Sequence, residues 1–145
     1  MNQLTVKIDL EEYSAGLLGV YDAGGFKGFG EGWFNLSEIK EFCDNLETLA
    51  NSLDGETELV SGQSKADGSE YLERFGLRCY VIARTGVLGV HVTLSEYPYT
   101  DCRVQEISKV SGELKAEVQS VMAFVQGLRS LCSGGAKEAT LVGRQ

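Results

Sequence analysis

The alternation of hydrophobic and polar residues near the start of the chain predicts a three-stranded meander. Residues 4–10 alternate strictly between apolar and polar, which is the two-residue period of a half-buried strand. Segments 17–21 and 26–34 flank Asp22-Ala23-Gly24-Gly25, whose glycines can adopt the positive φ of a tight hairpin. We therefore expect three strands joined by short turns.

The period changes after Phe34, where apolar residues begin to recur every three or four positions and predict a helix. Ser37 is the predicted N-cap, and the acidic Glu38 beside it suits the positive end of the helix dipole. Asp54-Gly55 is predicted to end the helix with a left-handed cap. The predicted apolar stripe consists of Ile39, Phe42, Cys43, Leu46, Leu49, Ala50 and Leu53.

A second group of strands is predicted after this helix. Segments 57–64 and 71–84 are strand-like and flank Ala66-Asp67-Gly68-Ser69, a hairpin signal. Residues 87–95 alternate again and should pair with the preceding strand. Segment 102–110 is apolar at every third position, which indicates a bulge or a short irregular edge strand.

A second helix of about five turns is predicted to open at Ser111 and Glu113 and to stop at Ser133-Gly134-Gly135. Its predicted apolar stripe consists of Leu114, Val118, Val121, Val125, Leu128 and Cys132.

The resulting order, βββ-α-ββββ-α, indicates an α+β fold. Short turns force consecutive strands to pair antiparallel, so we expect a single curved sheet of about six to seven strands with both helices on one face. Residues 1–133 are expected to form one domain, and 134–145, which lack periodicity, a flexible tail. The first residues do not resemble a signal peptide and no run is long enough to span a membrane, so a cytoplasmic location is expected.

The residue types that usually carry catalysis or bind metal are scattered. Cys43, Cys79, Cys102 and Cys132 stand singly, which favours reduced, buried side chains over zinc binding or a redox motif. His91 is the single histidine, so no histidine cluster can hold a metal, and no G-x-S-x-G motif accompanies it. We therefore predict no metal and no cofactor, and a binding protein rather than an enzyme.

One glycine-rich segment resembles a nucleotide-binding motif at first sight. In Gly28-Phe29-Gly30-Glu31-Gly32-Trp33 a tryptophan occupies the position where the dinucleotide fingerprint requires glycine, and no helix follows directly. The glycines are predicted instead to permit twist or to lie beneath aromatic rings.

Charge is the most informative feature of the sequence. The chain has 21 acidic and 13 basic residues, and eight of the acidic residues lie between Glu31 and Glu58 with Lys40 as the only basic residue. A solvated helix face that is merely acidic would account for this, but so would a docking surface for a basic protein; nucleic acid would be repelled. The candidate partner-binding residues are the acidic Glu38, Glu41, Asp44, Glu47 and Glu56, together with Tyr97 and Tyr99 in a predicted loop.

The run Trp33-Phe34-x-Leu36, then Phe42, Leu46 and Leu49, followed by strand pairs and a closing helix from Leu114 to Leu131, resembles small bacterial immunity proteins of toxin systems, of the WapI kind. Such proteins bind and neutralise a cognate toxin, often a nuclease with a basic cleft. The resemblance implies an inhibitor whose acidic helix takes the place of phosphates in that cleft.

Two other functions remain open. Secretion-chaperone-like adaptors are also small, acidic and α+β, although they generally begin with a helix; a stable dimer with an apolar groove would favour this function. A small enzyme would need a deep pocket in which polar groups converge, for example around His91, Asp22 or Glu31. The sequence does not specify the oligomeric state.

Overall fold

The computed structural model describes residues 2–64, 71–96 and 103–144. In these ranges the α+β class is confirmed, but the prediction of one sheet is wrong, since eight strands form two antiparallel sheets of four. The elements are β1 Asn2–Leu10, β2 Ser14–Ala23, β3 Phe26–Asn35, α1 Leu36–Ser52, β4 Glu56–Ser64, β5 Tyr71–Ala83, β6 Val87–Ser95, a short 3₁₀ turn Val104–Glu106, β7 Lys109–Glu117, α2 Val118–Cys132 and β8 Glu138–Val142.

Sheet 1 has the strand order β3-β2-β1-β8. Its meander β1-β2-β3 follows the predicted alternation, and Gly24 in the β2–β3 turn has the positive φ of 66° that the turn needs. The prediction of a flexible tail after Ser133 needs correction, because residues 138–142 form β8 and pair with β1. Ala139 and Leu141 are the buried residues of this short strand, which therefore completes the core.

Sheet 2 has the order β4-β5-β6-β7, joined by antiparallel pairing of consecutive strands. The predicted start of the second helix at Ser111 is wrong: β7 continues to Glu117 and α2 begins at Val118. Leu114 and Ala116 alternate into the core while Glu113 and Lys115 point outward, so the period here is two rather than 3.6. The predicted edge strand at 102–110 is likewise replaced, in its described part, by the 3₁₀ turn and the start of β7.

The inner faces of the two sheets enclose one hydrophobic core, and β3 crosses sheet 2 while contacting all four of its strands. The crossing depends on the alternate glycines of β3. A Cβ atom on Gly28 would approach Val110 of β7, and one on Gly32 would lie 2.7 Å from Phe75 of β5. A Cβ atom on Gly30 would meet backbone instead, 2.7 Å from the Arg74 carbonyl oxygen. The glycine-rich segment is thus explained by close strand-on-strand packing.

The two helices pack against each other and each contacts strands of both sheets, so the expected arrangement of both helices on one face of a single sheet is also wrong. α1 begins after Asn35 rather than Ser37, and the Asn35 backbone amide donates to Glu38 Oε1 at 3.0 Å, the reciprocal bond of a capping box. Its predicted apolar stripe is buried from Ile39 to Ala50, but Leu53, the last predicted member, is half-buried and lies beyond the helix. Leu53 itself provides the left-handed cap at φ 53°, one residue before the predicted Asp54-Gly55.

Candidate functional site

The predicted partner-binding residues lie on three different parts of the chain. Glu38, Glu41, Asp44 and Glu47 recur every three residues along α1, outside its buried stripe, and we call them the acidic helix face. Glu56 lies elsewhere, at the start of β4, where it lines a concavity on the outer face of sheet 2. Tyr97 and Tyr99 lie outside the described residues.

Glu38, Glu41 and Asp44 of the acidic helix face are exposed and Glu47 is half-buried. Two of these carboxylates bind an arginine of the second helix. Arg129 of α2 donates through Nη2 to Asp44 Oδ1 at 2.9 Å and through Nη1 to Glu47 Oε2 at 3.1 Å. The hydrogen bond to Glu47, and to a smaller extent the one to Asp44, holds the pKa of the Arg129 guanidinium above its usual value. The Asp44 side chain is still 73% exposed, so its outer oxygen remains available to a partner.

The other two carboxylates of the acidic helix face differ in their surroundings. Glu38 accepts the hydrogen bond from Asn35 and so holds the first turn of α1. Glu41 is exposed, between Glu38 and Asp44 along the helix. The face therefore carries more carboxylates than the single guanidinium of Arg129 can neutralise, and most of them have fixed positions. Fixed charges of one sign on a rigid helix can steer a basic partner during association.

The concavity on sheet 2 has a volume of about 540 Å³ and is lined by Glu56, Thr57, Glu58, Arg78, Cys79, Tyr80 and His91. Arg78 binds Glu73 through both terminal nitrogens, at 2.6 and 3.0 Å, and its Nε lies 3.2 Å from Glu58. The Tyr80 hydroxyl donates to Glu113 Oε2 at 2.5 Å across Gly89, which has no side chain to obstruct the ring. Burial, followed by this hydrogen bond, raises the pKa of Tyr80 to about 12.

The concavity places His91 near a hydroxyl but does not complete a catalytic triad. His91 Nε2 lies 3.4 Å from Ser111 Oγ on the neighbouring strand. No carboxylate in the described ranges is hydrogen bonded to His91, so the third group that orients such a base is missing. Ordinary hydrogen bonding on a sheet surface is sufficient to explain the contact.

The cysteines do not supply a nucleophile to this site. Cys79 lies under the concavity with its side chain on the inner face, and burial raises the pKa of its thiol to about 12. Burial likewise raises the pKa of Cys43 to about 12. A thiol must ionise to attack, so neither is activated. Across the described part of the chain, no group of three or more His, Cys, Asp or Glu side chains could hold a metal ion.

Two features of these surfaces, the contacts of Arg129 and the exposed aromatic residues of β3, were not predicted from the sequence. Arg129 is more than 80 residues away from Asp44 and Glu47 in the sequence and lies on another helix, so no local sequence pattern predicts these contacts. The outer face of sheet 1 carries exposed Phe29 and Trp33, which alternate along β3 with the glycines that pack inward. The regular Gly-x-Gly-x-Gly spacing was the available signal, because it forces the intervening side chains to the other face.

Comparison with protein-family models, with curated proteins and with solved structures found no match to this chain. Neither helix in the described ranges has both the length and the apolar composition that crossing a membrane would require.

Proposed function

We propose that this protein is a non-enzymatic binding protein, an immunity-type inhibitor that neutralises a cognate toxin domain in the cytoplasm. The observation that carries the proposal is the acidic helix face, a set of mostly exposed carboxylates of which Glu38 is held by the helix cap and Asp44 and Glu47 by Arg129. A basic protein surface is the partner that such a face would attract. The similarity in layout to immunity proteins is consistent with this partner being a toxin domain, such as a nuclease with a basic cleft.

The proposed role of the charges is mainly in association. Exposed charges at an interface rim change the association rate and its dependence on salt more than they change the lifetime of the complex. Screening over about 10 Å at 0.1 M salt would weaken the attraction. Binding through the acidic helix face should therefore be fast at low ionic strength and slow at high ionic strength.

The experiment compares two variants that lose the same charge. One is Glu41→Gln with Asp44→Asn, which leaves Glu38 in the cap and Glu47 on Arg129. The matched control is Glu11→Gln with Glu12→Gln, two exposed carboxylates between β1 and β2. Proteins captured from the native host at low salt are identified, and association rates of a captured basic partner are then measured by surface plasmon resonance at several salt concentrations.

We expect the helix variant to lose at least about fivefold in association rate at low salt, with the control near wild type and the difference vanishing at high salt. Equal association rates for the two variants would show that the acidic helix face serves only solubility. A second assay measures the activity of the captured partner with and without the wild-type protein. Loss of that activity identifies an inhibitor, whereas unchanged activity identifies an adaptor that only binds.

A further inference from the structure

The outer face of sheet 1 exposes a contiguous apolar patch, which we call the aromatic face. It consists of Leu18 and Val20 on β2 and of Phe29 and Trp33 on β3. Val20 pairs directly with Phe29 in the register of the two strands, and their exposed fractions are 39% and 67%. Contiguous apolar patches on a folded protein mark sites of interaction, whereas single exposed apolar residues do not.

Trp33 of the aromatic face packs directly on the backbone of Gly16, which has no side chain. A Cβ atom on Gly16, its register partner, would lie 2.9 Å from two atoms of the indole ring. The ring therefore rests on the bare backbone of β2 while 41% of the residue remains exposed. An aromatic anchor with a fixed orientation loses little freedom on binding, which is the usual property of an interface hot spot.

The charges around Leu18 make the aromatic face complementary to itself. Lys7, Leu18 and Glu31 are aligned across β1, β2 and β3, with the lysine and the glutamate on opposite sides of the leucine. Glu138 of β8 continues this row on the far side of Lys7. Lys7 and Glu31 are separated by two inter-strand spacings, about 9.6 Å. Neither side chain forms a salt bridge with any residue that the structure describes. A two-fold axis parallel to β2, above Leu18 and midway between the two facing copies of sheet 1, would bring Glu31 of each copy over Lys7 of the other.

We propose that two copies of this chain associate through the aromatic face. In this dimer Leu18 and Val20 lie near the axis, Phe29 and Trp33 are covered, and two Glu31–Lys7 ion pairs form at the flanks. An interface of this kind is isologous, with the same patch contributed by each subunit. The apolar surface is covered in the dimer, so it does not become the open groove of a chaperone-like adaptor.

The dimer goes beyond the proposed inhibitor function, since it uses no residue of the acidic helix face. Its experiment is therefore independent: sedimentation equilibrium of the purified protein alone, up to about 200 µM. We expect a reversible dimer for the wild type. Trp33→Ser and Glu31→Lys should each weaken association at least about tenfold, the first by removing an anchor and the second by opposing Lys7 with a like charge.

The decisive variant combines Glu31→Lys with Lys7→Glu and Glu138→Lys. It inverts the three charges of the row, keeps opposite signs at the paired positions 7 and 138, and should restore the wild-type dimer. Phe26→Ser is the control, because Phe26 is 74% exposed at the β2–β3 turn but lies outside the aromatic face. It should dimerise like the wild type. A wild type that is monomeric over the whole range overturns the proposal and leaves the aromatic face to a different protein. Failure of the charge exchange to restore a dimer lost in Glu31→Lys overturns it as well.

Discussion

Gly30 lies where β3 crosses sheet 2, and alanine at this position would place a methyl group against backbone atoms. The new Cβ would lie 2.7 Å from the Arg74 carbonyl oxygen and 2.9 Å from the Ser95 amide nitrogen. Backbone cannot rotate away as a flexible side chain does, so the overpacking cost should be near the upper end of its usual range, about 3 kcal/mol. The better strand propensity of alanine offsets about 0.5–1 kcal/mol of this.

The net loss in the free energy of unfolding should thus be about 2 kcal/mol, equivalent to about 7 °C in Tm for a chain of 145 residues. Urea unfolding followed by far-ultraviolet circular dichroism measures it. Gly25→Ala is the control, since no atom lies within 4 Å of a Cβ there, and it should change stability by less than about 0.5 kcal/mol. Equal stabilities for the two variants would mean that β3 and sheet 2 do not pack this closely.

Two further predictions concern the polar contacts. Arg129→Met should cost about 0.5–1 kcal/mol in urea unfolding at low salt, because it leaves the exposed Asp44 and the half-buried Glu47 without their shared cation, and the loss should shrink at high salt. A loss that is unchanged by salt would indicate lost packing instead. For Tyr80, whose pKa is raised from 10.0 to about 12, the associated stability is complete below pH 10 and is lost as the pH rises toward 12. The ultraviolet titration of the wild type minus that of Tyr80→Phe should have its midpoint near pH 12, and a midpoint near pH 10 would contradict both the burial of the ring and its contact with Glu113.

The local elements were predictable where one period dominates. The meander and the buried stripe of α1 follow directly from alternation and from the three-and-four spacing. The segment around Leu114 was ambiguous, because Leu114 and Val118 are four residues apart and fit a helix, whereas Leu114 and Ala116 fit a strand. In the folded protein this segment pairs with β6, which stabilises the strand instead of the helix. β8 has only two buried residues, too few to establish a period.

The division into two sheets could not be read from the sequence. Both groups of strands have the same alternation. The contacts of β3 with all four strands of sheet 2, and the close approach at Gly28, Gly30 and Gly32, show that β3 lies across sheet 2 instead of beside it. The candidate site was predictable only in part, for a similar reason. The acidic residues are local in sequence, while Arg129, which holds two of them, comes from the other end of the fold.

The pairing of β1 with β8 also determines when during synthesis the fold can be completed. Lys7 of β1 is paired with Glu138 of β8, so the ribosome must add about 130 residues between them, a delay on the order of 10 s. During this interval β1 presents an unpaired strand edge next to a formed hairpin, which is a template for aggregation. A nascent chain that stops before residue 138 would retain that open edge, and we expect such fragments to need chaperone protection.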